Sequence, residues 1–104
     1  MGFFEPPNID RMIINNDVKG LIKLLKHRDK RIRANAAMAL GQMKDDRAVE
    51  PLIKAFEDNL MEESYVSNSI ATAFISIKGW KEWERYLEMR KSSEGKSEKI
   101  KLEE

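Results

Sequence analysis

"RIRANAAMALGQM", residues 31–43, gives four of its thirteen positions to alanine and one to Gly41. Within it Ile32, Ala36, Leu40 and Met43 recur at spacings of four and three, one face of an amphipathic helix. Asp29 stands just ahead, placed to cap that helix by accepting from its free amides. Upstream, Val18, Leu21, Ile22 and Leu25 form a similar stripe. Downstream come Val49, Leu52, Ile53 and Phe56, then Val66, Ile70, Phe74 and Ile77, and last Trp80, Trp83 and Leu87. A short helix over about 9–15 precedes them all. "KDDR" (44–47) reads as a polar turn with Asp45 or Asp46 as cap. Pro51 falls near the start of its helix, where a missing amide hydrogen costs little. Runs of β-branched alternation are missing, so the chain reads as all-α.

The stripes repeat. "VKGLIKLLK" (18–26) aligns with "VEPLIKAFE" (49–57) at an offset of about 31 residues. "IRANAAMALGQM" (32–43) aligns with "VSNSIATAFISI" (66–77) at about 34, which sets Ala37 over Ala71, Ala39 over Ala73 and Leu40 over Phe74. A period in the thirties built from helix pairs is the mark of an α-solenoid. The small residues then have a packing role: second helices of successive units lie side by side with their backbones close. The expected architecture is a short right-handed α-α superhelix of two helix-pair units with capping half-units. Residues 18–78 hold the units, about 18–48 and 49–78. Residues 1–17 form an N-terminal cap segment and 79–91 a C-terminal capping helix, with Trp80, Trp83 and Leu87 facing inward and Lys81, Glu82, Arg85 and Glu88 away. From Ser92, "SSEGKSEKIKLEE" is expected to be a flexible polar tail over 92–104. The alternative for the aromatic ends is that they are interfaces, through which two chains stack as an end-to-end homodimer.

The stretch "DKRIRANAAMALGQMKDDRAVEPLIKAF" resembles the HEAT repeat superfamily, in particular the short HEAT-like repeats of the phycobilisome-lyase type. The matching positions are Asp29, Ile32-Arg33, Ala36-Ala37, Ala39-Leu40-Gly41 and Pro51-Leu52-Ile53, and the resemblance covers about residues 18–78. It implies a protein-binding solenoid whose second helices line a concave surface, with the Asp and Arg supporting the stack between repeats. Unit two departs from the pattern: Ser67 replaces the arginine and "LMEES" (60–64) the acidic turn, so this unit is expected to tilt or loosen.

Composition bounds the function classes. With 104 residues, 41% hydrophobic and 36% charged, the chain is one domain with a heavily solvated surface. Its lack of cysteine removes disulfides, thiol catalysis and cysteine-ligated zinc. No apolar run approaches the roughly 18 residues of a membrane span. "MGFFEPPNID" has no basic stretch followed by an apolar one, so no secretory signal is expected and the cytoplasm is the default location. Met1-Gly2 resembles a myristoylation start, but Pro6 stands where Ser or Thr is wanted. Among enzymes of similar repeats, deoxyhypusine hydroxylase relies on paired His-Glu motifs to hold iron. Here His27 is the only histidine, at a helix C-terminus where it is expected to meet the last carbonyls. The carboxylate pairs Asp45-Asp46 and Glu62-Glu63 sit at helix starts, where the helix dipole accounts for them. Catalysis and cofactors are not expected, and no metal site is.

Two surfaces remain as candidates. On the helix of about 30–44, the face opposite the core stripe holds Arg31, Asn35, Met38 and Gln42. The 34-residue offset maps these to Tyr65, Ser69, Thr72 and Ser76. This concave face is the expected site for a protein partner, whose identity the sequence does not give. The alternative is a basic patch for nucleic acid or phosphate, built from Lys19, Lys23, Lys26, Arg28, Lys30 and Arg31. Residues 19–33 carry a balance of +6 and residues 45–64 one of −5, so a net charge of +1 hides a dipolar surface. The plainer reading is that these charges are solvated outer faces attracting one another along the stack. The patch lacks interleaved aromatics or base-reading amides.

Overall fold

A computed structural model describes the backbone over residues 6–60 and 64–103, and side chains over 6–60 and 65–92. The readings placed on Met1-Gly2 and on Glu62-Glu63 lie outside the described residues. All regular structure among the described residues is helical: α1 (Ile9–Ile14), α2 (Val18–Leu24), α3 (Lys30–Met43), a 3-10 turn (Asp46–Ala48), α4 (Val49–Asn59), α5 (Ser64–Lys78) and α6 (Trp80–Glu103).

Helix starts follow local chemistry. Asn8, Asp17 and Asp29 each accept from a backbone amide of the helix they precede, at Arg11 (3.0 Å), Gly20 (2.9 Å) and Arg31 (2.9 Å). Each satisfies one of the donors a first turn leaves free. Asp45 does the same for the 3-10 turn through the Arg47 amide and also takes the Arg47 guanidinium at 2.7 Å. The amide of Arg31 holds the Asp29 carboxyl below its ordinary range, and the Arg47 side chain does so for Asp45. α4 has no side-chain cap of its own, the 3-10 turn leading straight into it. Pro51 lies in its first turn as expected.

Two helix ends turn through left-handed backbone at non-glycine residues, Asn16 (φ 55°) and Lys44 (φ 51°). At Lys44 this conformation costs about 1 kcal/mol because the Cβ crowds the following carbonyl. Lys44→Gly is therefore expected to raise the unfolding free energy in urea by about 0.5–1 kcal/mol, part of the relief being offset by the freer unfolded chain.

α2 with α3 and α4 with α5 form the two helix pairs, and the most extensive helix contact is between the second helices, α3 and α5. Leu21, Leu40, Leu52 and Ile70, one from each of these four helices, are fully buried in the core. Ala34, Ala36, Ala37 and Ala39 are all buried on α3. At Gly41 the approach is closest, since a Cβ there would lie 2.9 Å from Ala73 Cα and 3.1 Å from Ala73 Cβ. The small residues of the opening stretch thus let α3 lie directly on α5.

Arg33 and Asp29 act inside unit one. The Arg33 guanidinium donates from Nη1 to the carbonyls of His27 (2.7 Å) and Arg28 (3.2 Å), securing the α2–α3 turn. The expectation that these residues brace the stack between repeats is corrected by those contacts. His27 is corrected too: its Nδ1 accepts from the Asp29 amide at 3.0 Å, and Arg33 takes the carbonyl. Ser67, 34 positions after Arg33, is buried and too short to span a turn as a guanidinium does.

Gly79, at φ 96°, makes the one-residue joint between α5 and α6 in a backbone region that favours glycine. The expected facing of α6 is corrected by its packing. Trp83 is 6% exposed, whereas Trp80 is 60% exposed and Leu87 39%. Trp83 meets Phe56 edge-on at 4.8 Å between ring centroids and Phe74 at 5.3 Å, and Tyr86 joins the same cluster. The Tyr86 hydroxyl donates to Glu57 at 2.8 Å. The inward face therefore runs through Trp83 and Tyr86, and Trp80 instead donates its indole N–H to Glu84. The segment expected as a polar tail falls on the second half of α6. A helix already nucleated adds one hydrogen bond per residue, and "EKIKLE" (98–103) is made of adequate helix formers.

Candidate functional site

The face of α3 opposite its buried alanines exposes Arg31, Asn35, Met38 and Gln42. On α5, Tyr65, Thr72 and Ser76 are exposed and Ser69 is partly so. The close α3–α5 seam brings most of these together. Met38, Gln42, Ser69, Thr72 and Ser76 line a cleft of about 340 Å³ with Gly41, Lys44 and Ala73. Gly41 and Ala73 are its floor, so the residues that permit the packing also shape the surface.

A second cleft of about 550 Å³ adjoins on the other side of α3. Asn35, Met38 and Gln42 line it, opposite a wall made by Pro6, Pro7, Ile9 and Ile13. Met38, 52% exposed, and Gln42 are common to both clefts. Arg31 and Tyr65 line neither; they stand exposed in the first turns of α3 and α5. Sequence reasoning missed the proline–isoleucine wall. Its one signal was the Ile9/Ile13 pair behind two prolines, which says that α1 buries a face but not against which helix.

Polar capacity on this face is uneven. Ser69 Oγ donates to the Tyr65 carbonyl at 3.1 Å and Thr72 Oγ1 to the Asn68 carbonyl at 2.9 Å, back-bonds within α5. The amides of Asn35 and Gln42 on α3 can both donate and accept.

Apart from Arg31, the basic residues lie elsewhere. Lys19, Lys23 and Lys26 are exposed on α2 at i, i+4 and i+7, and Arg28, Lys30 and Arg31 are exposed at the α2–α3 turn and the start of α3. Arg31 approaches Asp29 only at 3.8 Å, an exposed pair of little energetic weight. Arg33, counted with them by sequence, is directed inward onto the turn carbonyls.

A model of HEAT repeats matches residues 15–74, from just ahead of α2 to near the end of α5. The chain belongs to the HEAT repeat family. Neither the curated proteins nor the solved structures compared with it give a match. HEAT repeats generally mediate protein–protein interaction and are generally non-catalytic scaffolds. In this HEAT repeat chain no three His, Cys, Asp or Glu side chains among the described residues are placed to share a metal. No helix among the described residues is long and apolar enough to cross a membrane.

Proposed function

We propose that the chain is a small HEAT-repeat adaptor that holds a protein partner on the α3/α5 face, by stoichiometric binding without covalent chemistry. The observation carrying this reading is Met38: a half-exposed, adaptable apolar side chain at the crest between two adjoining clefts, flanked by amides and hydroxyls. Such an anchor surrounded by polar groups is the arrangement that gives a contact surface its central, water-excluding residue.

The test is capture from a nuclease-treated lysate of the source cells, with wild-type chain and Met38→Glu side by side. A protein held by the wild type and weakened at least ~10-fold by Met38→Glu is the expected result, since a charge in the anchor position meets an unpaired desolvation penalty. Equal retention by both chains overturns the assignment of the face. Capture that disappears with nuclease favours the basic patch instead.

A further inference from the structure

The inner helices α3 and α5 close on each other, but the outer helices α2 and α4 leave a groove of about 390 Å³ between them. Its floor is apolar, made by Ile22, Leu25, Pro51 and Ala55. Its two rims carry opposite charge. On the α2 side the lining includes the exposed Lys26, with Lys19 and Lys23 exposed further along the same helix; on the α4 side it includes the exposed Glu50 and Asp58. Lys54 lies four residues from both Glu50 and Asp58, close enough on the helix to be offset by them, and leaves that rim net acidic.

We propose that two copies of this chain associate side by side through this surface, the basic α2 of each lying on the acidic α4 of the other. The sign pattern selects the geometry. A two-fold axis running along the groove sets α2 on α4 twice over, as an isologous contact requires. A two-fold axis across the groove would set lysine on lysine and carboxylate on carboxylate. The basic and acidic rims then meet across the interface, where their charges orient the encounter, and the two apolar grooves adjoin along the axis. This contact differs from end-to-end stacking through the aromatic ends and uses none of the α3/α5 cleft residues, so it stands independently of the proposed adaptor face. Such a dimer presents that face twice, once on each copy.

The experiment is sedimentation equilibrium of the full chain across protein concentration and salt. The expected mass rises from 12.1 kDa toward twice that value at low salt and falls back at high salt. Lys23→Glu/Lys26→Glu makes both rims acidic and Glu50→Lys/Asp58→Lys makes both basic, so each variant alone is expected to stay monomeric. An equimolar mixture of the two is expected to recover the doubled mass as a heterodimer. All four positions are exposed, and circular dichroism checks that the helices persist. On the wild type, a zero-length carbodiimide should join Lys26 of one copy to Glu50 or Asp58 of an isotope-labelled second copy. A wild-type mass fixed at 12.1 kDa, a doubled mass that survives both double variants, or cross-links confined to single chains overturns the proposal.

Discussion

Trp83→Ala is expected to lower the unfolding free energy by about 3–5 kcal/mol, while Trp80→Ala, three residues away, changes it by about 0.5 kcal/mol or less. Trp83 is buried between Phe56 of α4 and Phe74 of α5 and touches Tyr86 on its own helix. Its removal forfeits the burial of a large ring, leaves a cavity and breaks aromatic contacts worth about 0.5–1.5 kcal/mol each beyond area. Against a total of about 5–15 kcal/mol for a domain, that is a large fraction of what holds the C-terminal end closed. Trp80 lies mostly in water, with its indole N–H on Glu84. Urea unfolding followed by circular dichroism reads both variants without relying on the tryptophan signal being altered. Equal losses would mean that α6 packs on the face holding Trp80, contrary to the aromatic cluster described.

Gly41→Val is expected to cost about 3 kcal/mol, and Gly41→Ala a smaller net amount because two effects oppose. Alanine gains up to about 1 kcal/mol of helix propensity over glycine. Its Cβ, however, would sit 2.9 Å from Ala73 Cα, a backbone atom that cannot rotate aside. Valine adds two methyl groups at the same place and forces α3 off α5, since an interior packed this closely yields only by moving elements apart. The same urea titration measures it, and a Gly41→Val chain as stable as the wild type would mean that the seam is looser than its geometry. The α3/α5 cleft has Gly41 and Ala73 as its floor, so binding through that face should weaken along with stability.

The two substitutions mark where the sequence was legible. The apolar stripe of 31–43, with Ala37 and Ala39 recurring 34 positions on as Ala71 and Ala73, is a periodic signal, and periodicity survives without knowing the partner helix. Asp29 as a cap was legible for a related reason, its chemistry acting within three residues. α6 was not, because Trp80, Trp83 and Leu87 all fit one apolar stripe, and only the position of Phe56 and Phe74 selects Trp83 with Tyr86. That choice is tertiary. The exchange of roles between His27 and Arg33 has the same origin, since a turn brings the guanidinium back to carbonyls five and six residues upstream. Of the candidate site, the exposed faces of α3 and α5 followed from helical geometry. The Pro6–Ile13 wall depended on the path of the chain between helices, which no local pattern encodes.

The back-bonded hydroxyls of Ser69 and Thr72 give α5 a chemical polarity. Their protons are committed to the helix itself, so toward the cleft these oxygens offer lone pairs. A segment lying along these two residues must therefore bring the hydrogen, from a peptide N–H, a side-chain amide or a cation, and a carboxylate or phosphate placed against them would meet two acceptors. Along α3, the amide of Gln42 accepts either polarity. The two walls of the same cleft thus sort ligands by which side of the hydrogen bond they carry, a selectivity that shape alone would not supply.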